Sequence, residues 1–176
     1  MTSQLEYIFK VVIVGPSQVG KTCFVHRYTD NKFIGDLKQT IGVDFALKKI
    51  DVNLEDQEAQ ISLQLWDFAG ELHYEYILPY YIKGTHIIIL AYDSTNIKSF
   101  KILPRWLESV RKYVPDVPII LVSMKNDLGR TFSDKLIEEF MEKANIEFVF
   151  HTSSKTGENV EKVFQKCVDF AQKLIQ

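Results

Sequence analysis

The residue types and spacing that bear most directly on chemistry lie in Gly15-Pro16-Ser17-Gln18-Val19-Gly20-Lys21-Thr22, which fits the phosphate-binding pattern G-x-x-x-x-G-K-[ST] without a gap. Gly15 and Gly20 let the backbone wrap closely, so that successive N–H groups point at phosphate oxygens. The start of the next helix adds the positive end of its dipole. At this spacing Lys21 reaches the β- and γ-phosphates, and Thr22 places a hydroxyl on Mg²⁺. Context separates the motif from a turn that merely shares its letters. Val11-Val12-Ile13-Val14 before it reads as a buried strand, and Phe24, Val25 and Tyr28 after it form an apolar helical pattern.

A second candidate is Asp67, which closes another apolar strand-like run. A carboxylate at a strand end facing a phosphate loop is repelled unless a cation lies between, which favours Mg²⁺. Taken alone, Thr40 is a loop threonine and Phe33 is loop packing. Trp66, Tyr74, Tyr76, Tyr80 and Tyr81 read as core or partner surface. His26, His73, His86 and His151 show no metal-ligand spacing and receive no catalytic role.

The elements that must position these residues follow in order. Residues 7–14 form the first strand and about 21–30 the first helix; 31–42 have no period and read as an exposed loop. Two runs, 43 to about 53 and 58 to 66, flank Leu54-Glu55-Asp56-Gln57 as a hairpin half-buried on one side through Ile61, Leu63 and Leu65. Residues 71–83 carry Pro79 and predict a short irregular helix. Residues 86–90 and 117–122 are continuous apolar strands. Between them lies a helix with Phe100, Leu103, Trp106, Leu107 and Val110, whose main part starts at Pro104. A shorter helix at 133–144 is capped by Ser133, residues 148–150 form a sixth strand, and 158–174 form an amphipathic last helix. Its inward residues are Val160, Val163, Phe164, Cys167, Val168 and Leu174. Strands alternating with helices indicate a parallel sheet covered on both faces, with binding at the carboxyl ends of its strands.

The 176 residues suit one domain, 1–176, and 46% apolar residues with 12% aromatic argue against disorder. A net charge of −2 without a basic run gives no sign of nucleic acid. Cys23 and Cys167, far apart in predicted helices, read as buried free thiols in a reducing compartment. Met-Thr-Ser-Gln at the start has neither a signal-peptide core nor the glycine that myristoylation needs, and the last residues carry no prenylatable cysteine. No apolar run approaches the roughly 20 residues of a membrane span. The expectation is a soluble, cytoplasmic monomer that meets membranes only through a lipidated tail or a partner outside this chain.

Four further stretches make the resemblance specific: Lys38-Gln39-Thr40-Ile41-Gly42-Val43-Asp44-Phe45, Trp66-Asp67-Phe68-Ala69-Gly70, Lys125-Asn126-Asp127 and Thr152-Ser153-Ser154-Lys155-Thr156-Gly157-Glu158-Asn159. With the phosphate loop they resemble, in order and over essentially the whole chain, the guanine-nucleotide motifs of Ras-like small GTPases, in wording nearest the Rab branch. The resemblance implies an α/β P-loop NTPase G domain. Its sheet would be six-stranded and mostly parallel with one antiparallel edge strand, flanked by about five helices. It implies GTP or GDP as ligand and substrate, with Mg²⁺ held by Thr22, Thr40 and Asp67. Nucleotide would be bound by Ser17, Gln18, Val19, Gly20, Lys21, Thr22, Cys23, Phe33, Thr40, Gly70, Lys125, Asp127, Ser153, Ser154 and Lys155. Thr40 and the Gly70 amide would sense the γ-phosphate, Lys125 would lie along the base, and Asp127 would accept from guanine N1 and N2. The Ser153-Ser154-Lys155 loop would support the base through a backbone N–H to O6. Lys21, Gly70 and the residue at position 71 would serve hydrolysis. Effectors, exchange factors and GTPase-activating proteins would engage residues 33–45 and 68–83.

The departures from that pattern carry their own expectations. Glu71 stands where the family usually has the glutamine that orients the attacking water. An ionised carboxylate cannot donate a hydrogen bond, so intrinsic hydrolysis should be slow unless a partner supplies the missing amide. Gln18 replaces a common glycine and either contacts the γ-phosphate region or faces solvent; Ser17 is a milder case. Met124 replaces the asparagine that begins the guanine motif and offers only packing, which predicts a loss of about 1–3 kcal/mol of affinity while guanine discrimination survives through Asp127. Phe68 and Leu72 alter the second switch surface. Two functions from different classes remain: a slowly hydrolysing GTP switch in trafficking or signalling, and a hydrolysis-deficient, GTP-holding scaffold or adaptor. A third, an ATP-using enzyme, lacks any supporting substrate motif.

Overall fold

Val11, Val12, Ile13 and Val14 are buried on both faces of a central strand, which is why the sequence there carries no alternation. The computed structural model describes residues 5–35, 39–54, 57–71 and 76–175. The strands are β1 (Leu5–Val14), β2 (Val43–Leu54), β3 (Gln57–Phe68), β4 (Ile87–Asp93), β5 (Ile119–Met124) and β6 (Phe148–His151). They form one six-stranded sheet in the order β2-β3-β1-β4-β5-β6. All neighbours run parallel except β2 and β3, whose register from Val43 opposite Phe68 to Leu54 opposite Gln57 makes β2 the antiparallel edge. The α/β class and the mixed sheet are as the sequence predicts. The two residues at the hairpin tip, 55 and 56, lie outside the described residues.

Helices α1 (Lys21–Asp30) and α6 (Val160–Ile175) cover one face. There Val11 and Ile13 meet Phe24, Tyr28 and Phe164, and the Tyr28 and Phe164 rings stack at 3.8 Å between centroids. Val12 and Val14 face the other way, toward α2 (Leu78–Tyr81), α3 (Ile97–Lys101), α4 (Leu103–Arg111) and α5 (Asp134–Ala144). On that side Tyr92 packs edge-on against Phe100 at 5.0 Å, with Trp106 and Leu103 buried beside them. β3 lies inside the sheet, so Ile61, Leu63 and Leu65 are fully buried, whereas edge strand β2 alternates.

Three local expectations change, and a fourth is sharpened. The helix expected to start its main part at Pro104 is two segments, a short α3 and then α4, joined at Ile102, and Pro104 sits in the first turn of the second, where its missing N–H costs no bond. Ser133 occupies the N-cap of α5 in extended backbone, but its side chain makes no cap bond; Asp134 supplies first-turn negative charge instead and pairs with Arg130. Leu174 is 60% exposed, because Ile175 takes the inward place in the last turn and Ala171 the one before it. Cys167 is fully buried as expected, but Cys23 is only half-buried, its thiol donating to the Ile34 carbonyl at 3.3 Å.

Because β1, β3, β4, β5 and β6 all run the same way, their carboxyl ends share one edge of the sheet. The phosphate loop, Asp67, Asp93, the 125–129 turn and the 152–159 loop are therefore brought together by topology alone.

Candidate functional site

The loop between β1 and α1 is held in shape by close backbone approaches. Gly15, at φ 144°, lies so near β4 that a Cβ on it would fall 2.2 Å from the Ala91 carbonyl oxygen. Gly70 rests directly on the loop, where a Cβ would fall 2.2 Å from Pro16 C and Ser17 N. Gln18 adopts φ 64°, the left-handed region that favours glycine, with its side chain exposed. Its conformation explains the usual preference for glycine at this place. Lys21 is buried and donates from Nζ to the Gly15 and Pro16 carbonyls, each at 2.8 Å. Burial pushes its pKa down to about 8, opposed by the Asp67 charge. Phosphate in the loop would favour the charged lysine further.

Beside Lys21, three oxygen donors from three separate segments converge. The Thr22 hydroxyl lies 2.9 Å from that of Thr40, and it donates to Asp67 Oδ2. Asp67 Oδ1 is buried and has no hydrogen-bond partner among the described residues. Burial raises the Asp67 pKa, and the Lys21 charge and the Thr22 bond oppose that rise. A buried carboxylate oxygen without a partner, next to two hydroxyls, is a donor set for a hard cation that draws its remaining ligands from phosphate and water. The residues present fit Mg²⁺. No group of three or more His, Cys, Asp or Glu that could hold a metal by itself occurs among the described residues.

The other end of the site is built on the turns after β5 and β6. Lys125, at φ 61°, extends its side chain to donate to the Gln18 carbonyl at 2.8 Å and to Asp93 Oδ2 at 2.7 Å. Burial alone would raise the Asp93 carboxyl, but the bonds from Lys125 and Thr95 outweigh it and hold its pKa below the usual range. Asp127 Oδ1 accepts from the buried Ser153 hydroxyl at 2.6 Å, which fixes the direction of its carboxylate. Arg27 reaches back from α1 to donate to the carbonyls of Ser154 at 2.6 Å and Lys155 at 2.9 Å, tying the 152–159 loop to α1. Met124 is buried at the end of β5; its sulfur would lie 3.8 Å from a Cβ placed on Gly20, so it packs under the phosphate loop.

Between these ends is a cavity of about 600 Å³. Ser17, Gln18, Val19, Gly20, Lys21, Thr22, Cys23, Phe33, Thr40, Gly70, Lys125, Asp127, Ser154 and Lys155 all line it. Of the residues singled out in the sequence, Ser153 and Asp67 stand behind this lining and bond to Asp127 and Thr22. Glu71, directly after Gly70, is half-buried and accepts from Gln39 Nε2. Lys38, Leu72, His73 and Tyr74 lie outside the described residues. Asp93, Arg27 and Gln39 were not singled out as site residues. Asp93 carries the same mark as Asp67, an acidic residue closing an apolar strand, and could have been found by it.

A sequence profile of the Ras family matches residues 10–173. The chain is 38% identical over 173 residues to Ras-related protein Rab-30 of Homo sapiens, an alignment that spans 97% of this chain and 81% of that protein. It is 36% identical over 166 residues to GTP-binding protein ypt4 of Schizosaccharomyces pombe, covering 93% and 71% respectively. To Ras-related protein Rab-4 of Dictyostelium discoideum the identity is 37% over 163 residues, covering 92% and 78%.

Proposed function

The chain belongs to the Ras family, on its Rab branch, and from that premise we propose that it is a Mg²⁺-dependent GTP/GDP switch whose intrinsic hydrolysis is slow. The observation that carries this reading is the convergence of Thr22, Thr40 and Asp67, with Asp67 Oδ1 buried and unpartnered. Thr40 and Asp67 come from separate segments, the latter from the end of β3, so Thr22, Thr40 and Asp67 would together hold Mg²⁺ and tie those segments to the phosphate loop. Mg²⁺, when bound, supplies charge neutralisation at the phosphates. Lys21 holds a proton against the phosphate oxygens, the Gly70 backbone closes on the loop, and Asp127, aimed by Ser153, reads guanine through its N–H donors. The same loops change their outer surface when they open. Phe45 and Tyr81, both exposed and both against Trp66, give effectors and regulators an aromatic surface within residues 33–45 and 68–83. Trafficking-type partners are the class we assign. Among the described residues no helix is long and apolar enough to cross a membrane, so attachment to vesicles would come from a lipidated tail or a partner.

Glu71 and Met124 favour a second reading, a protein that holds GTP without turning it over and acts as a scaffold. The test is to denature freshly purified protein and identify the released nucleotide by ion-exchange chromatography. GDP at close to one per chain is expected for the switch. Intact GTP would support the scaffold, and an empty or ATP-filled site would overturn guanine binding.

A further inference from the structure

Three loops meet at the mouth of the phosphate site through one side chain. Gln39, from the 31–42 loop, donates from Nε2 to Ser17 Oγ at 3.1 Å and to a carboxylate oxygen of Glu71. Gln39 also lines the cavity beside Thr40 and Gly70, so this amide lies over the phosphate end. We propose that Gln39 is a positioning residue for GTP hydrolysis, its amide holding Glu71 so that the carboxylate accepts a hydrogen bond from the attacking water. The inference rests on the GTP-switch reading and deepens it.

The chemistry of the two side chains makes them complementary. A carboxamide offers both an acceptor and donors, whereas an ionised carboxylate only accepts. Glu71 alone would be pushed away from a negatively charged γ-phosphate. An N–H from Gln39 offsets part of that repulsion and anchors the carboxylate to Ser17 on the phosphate loop. A carboxylate has roughly four lone-pair sites, so accepting from Gln39 and accepting from water do not compete for the same one. The acceptor and donor of one carboxamide are thus divided between Glu71 and Gln39. In the step served, the water oxygen forms a bond to the γ-phosphorus. The bond from that phosphorus to the β–γ bridging oxygen breaks, its electron pair leaving with GDP, and a water proton passes to a phosphoryl oxygen of the departing phosphate. Glu71 orients the water and takes up no proton in the balance.

The test is single-turnover GTP hydrolysis with Mg²⁺ by the wild type, Gln39→Ala, Glu71→Gln and the double variant. Alongside it, fluorescent-GDP affinity and the ³¹P resonances of a bound imido GTP analogue are measured. In the wild-type background Gln39→Ala is expected to slow hydrolysis roughly tenfold, less than the loss of about a hundredfold or more from removing a direct transition-state donor, because Gln39 acts through Glu71. In the Glu71→Gln background, where residue 71 brings its own donor, the same change is expected to alter the rate less than about twofold. The γ-phosphorus resonance should move with α and β unchanged, and GDP affinity should stay within about threefold of wild type. An equal fall in both backgrounds, no fall in the wild type, or a fall matched by lost GDP affinity would overturn the role given to Gln39. So would nucleotide bound without measurable turnover in any variant, which leaves guanine binding standing. Failure of the wild type to bind guanine nucleotide would overturn the functional reading itself.

Discussion

Asp67 and Gly70 are three residues apart, yet they are constrained by different physics. Asp67 is a charge without enough partners: its Oδ1 is buried and unbonded among the described residues, and burial raises its pKa. If a cation completes this site, Asp67→Asn removes the one carboxylate in the donor set while keeping its shape. Wild-type GDP release should accelerate at least about tenfold when Mg²⁺ is chelated. In Asp67→Asn release should already be fast, and chelation should change it less than about twofold. Stopped-flow release of fluorescent GDP with and without EDTA reads both. Gly70, by contrast, is constrained by space alone. A Cβ there would sit 2.2 Å from Pro16 C and Ser17 N, backbone atoms that cannot step aside. Gly70→Ala should therefore keep the loop at Gly70 off the phosphate loop. It should weaken binding of a non-hydrolysable GTP analogue at least about tenfold while leaving GDP within about threefold. Comparing the two affinities by fluorescence titration checks this, and equal effects on both nucleotides would show that the loop does not report the γ-phosphate.

At the scale of elements, the seam between β1 and β4 makes the pH dependence specific. His86, just before β4, donates from its backbone N to the Lys10 carbonyl at 2.9 Å and accepts the Lys10 N–H on Nδ1, also at 2.9 Å. The imidazole thus extends the ladder by one bond, and only when Nδ1 is unprotonated. Burial first, and Lys10 second, lower its pKa. The folded pKa therefore lies below the unfolded value near 6.5, and below that pH the unfolded chain binds more protons. Stability should fall as pH drops through about 6.5 toward the folded pKa. In His86→Asn an untitratable Oδ1 can accept from Lys10, so the loss of urea midpoint between pH 7.5 and 5.5 should be smaller. An identical loss in both proteins would remove His86 from the account. The same scale shows what a reader of the sequence can see. β4, β5 and the Val11–Val14 end of β1 are legible as apolar runs because both of their faces are covered. The phosphate loop is legible because its constraints are local. Partnerships between loops are not: Lys125 meets Asp93 32 residues back, and Arg27 meets Ser154 127 residues on. These pairs exist only because parallel crossovers return each strand end to one edge. Leu174 has the periodicity of an inward residue, but the last turn packs through Ile175. Gln39 lies in a stretch without period, so its reach to Ser17 and Glu71 has no local signature.

Across the whole molecule, the site is a joint between segments far apart in the sequence. The phosphate loop, Thr40, Asp67, the 125–129 turn and the 152–159 loop come from five places in the chain, and their mutual bonds run through the cavity wall. A nucleotide filling that cavity would touch four of these and face Asp67 behind Thr22, and it would be lost on unfolding, so its binding energy adds directly to folding stability. At GDP about 100 times its dissociation constant with Mg²⁺ present, the gain is about 2.7 kcal/mol, which for a chain of this size raises the melting temperature by roughly 5–10 °C. Asp127→Ala separates guanine recognition from phosphate recognition within that gain. Asp127 is exposed and bonded only to Ser153 in the described structure, so its removal should cost the nucleotide-free protein little. The GDP-dependent rise should nevertheless nearly vanish at the same concentration. A full rise retained in Asp127→Ala, measured by thermal denaturation with and without GDP, would mean that the phosphates alone provide the stabilisation and that the base is not read at this carboxylate. A rise absent already in the wild type would mean that the loops are held by their own hydrogen bonds, with Lys125 and Arg27 as the ties and no nucleotide between them.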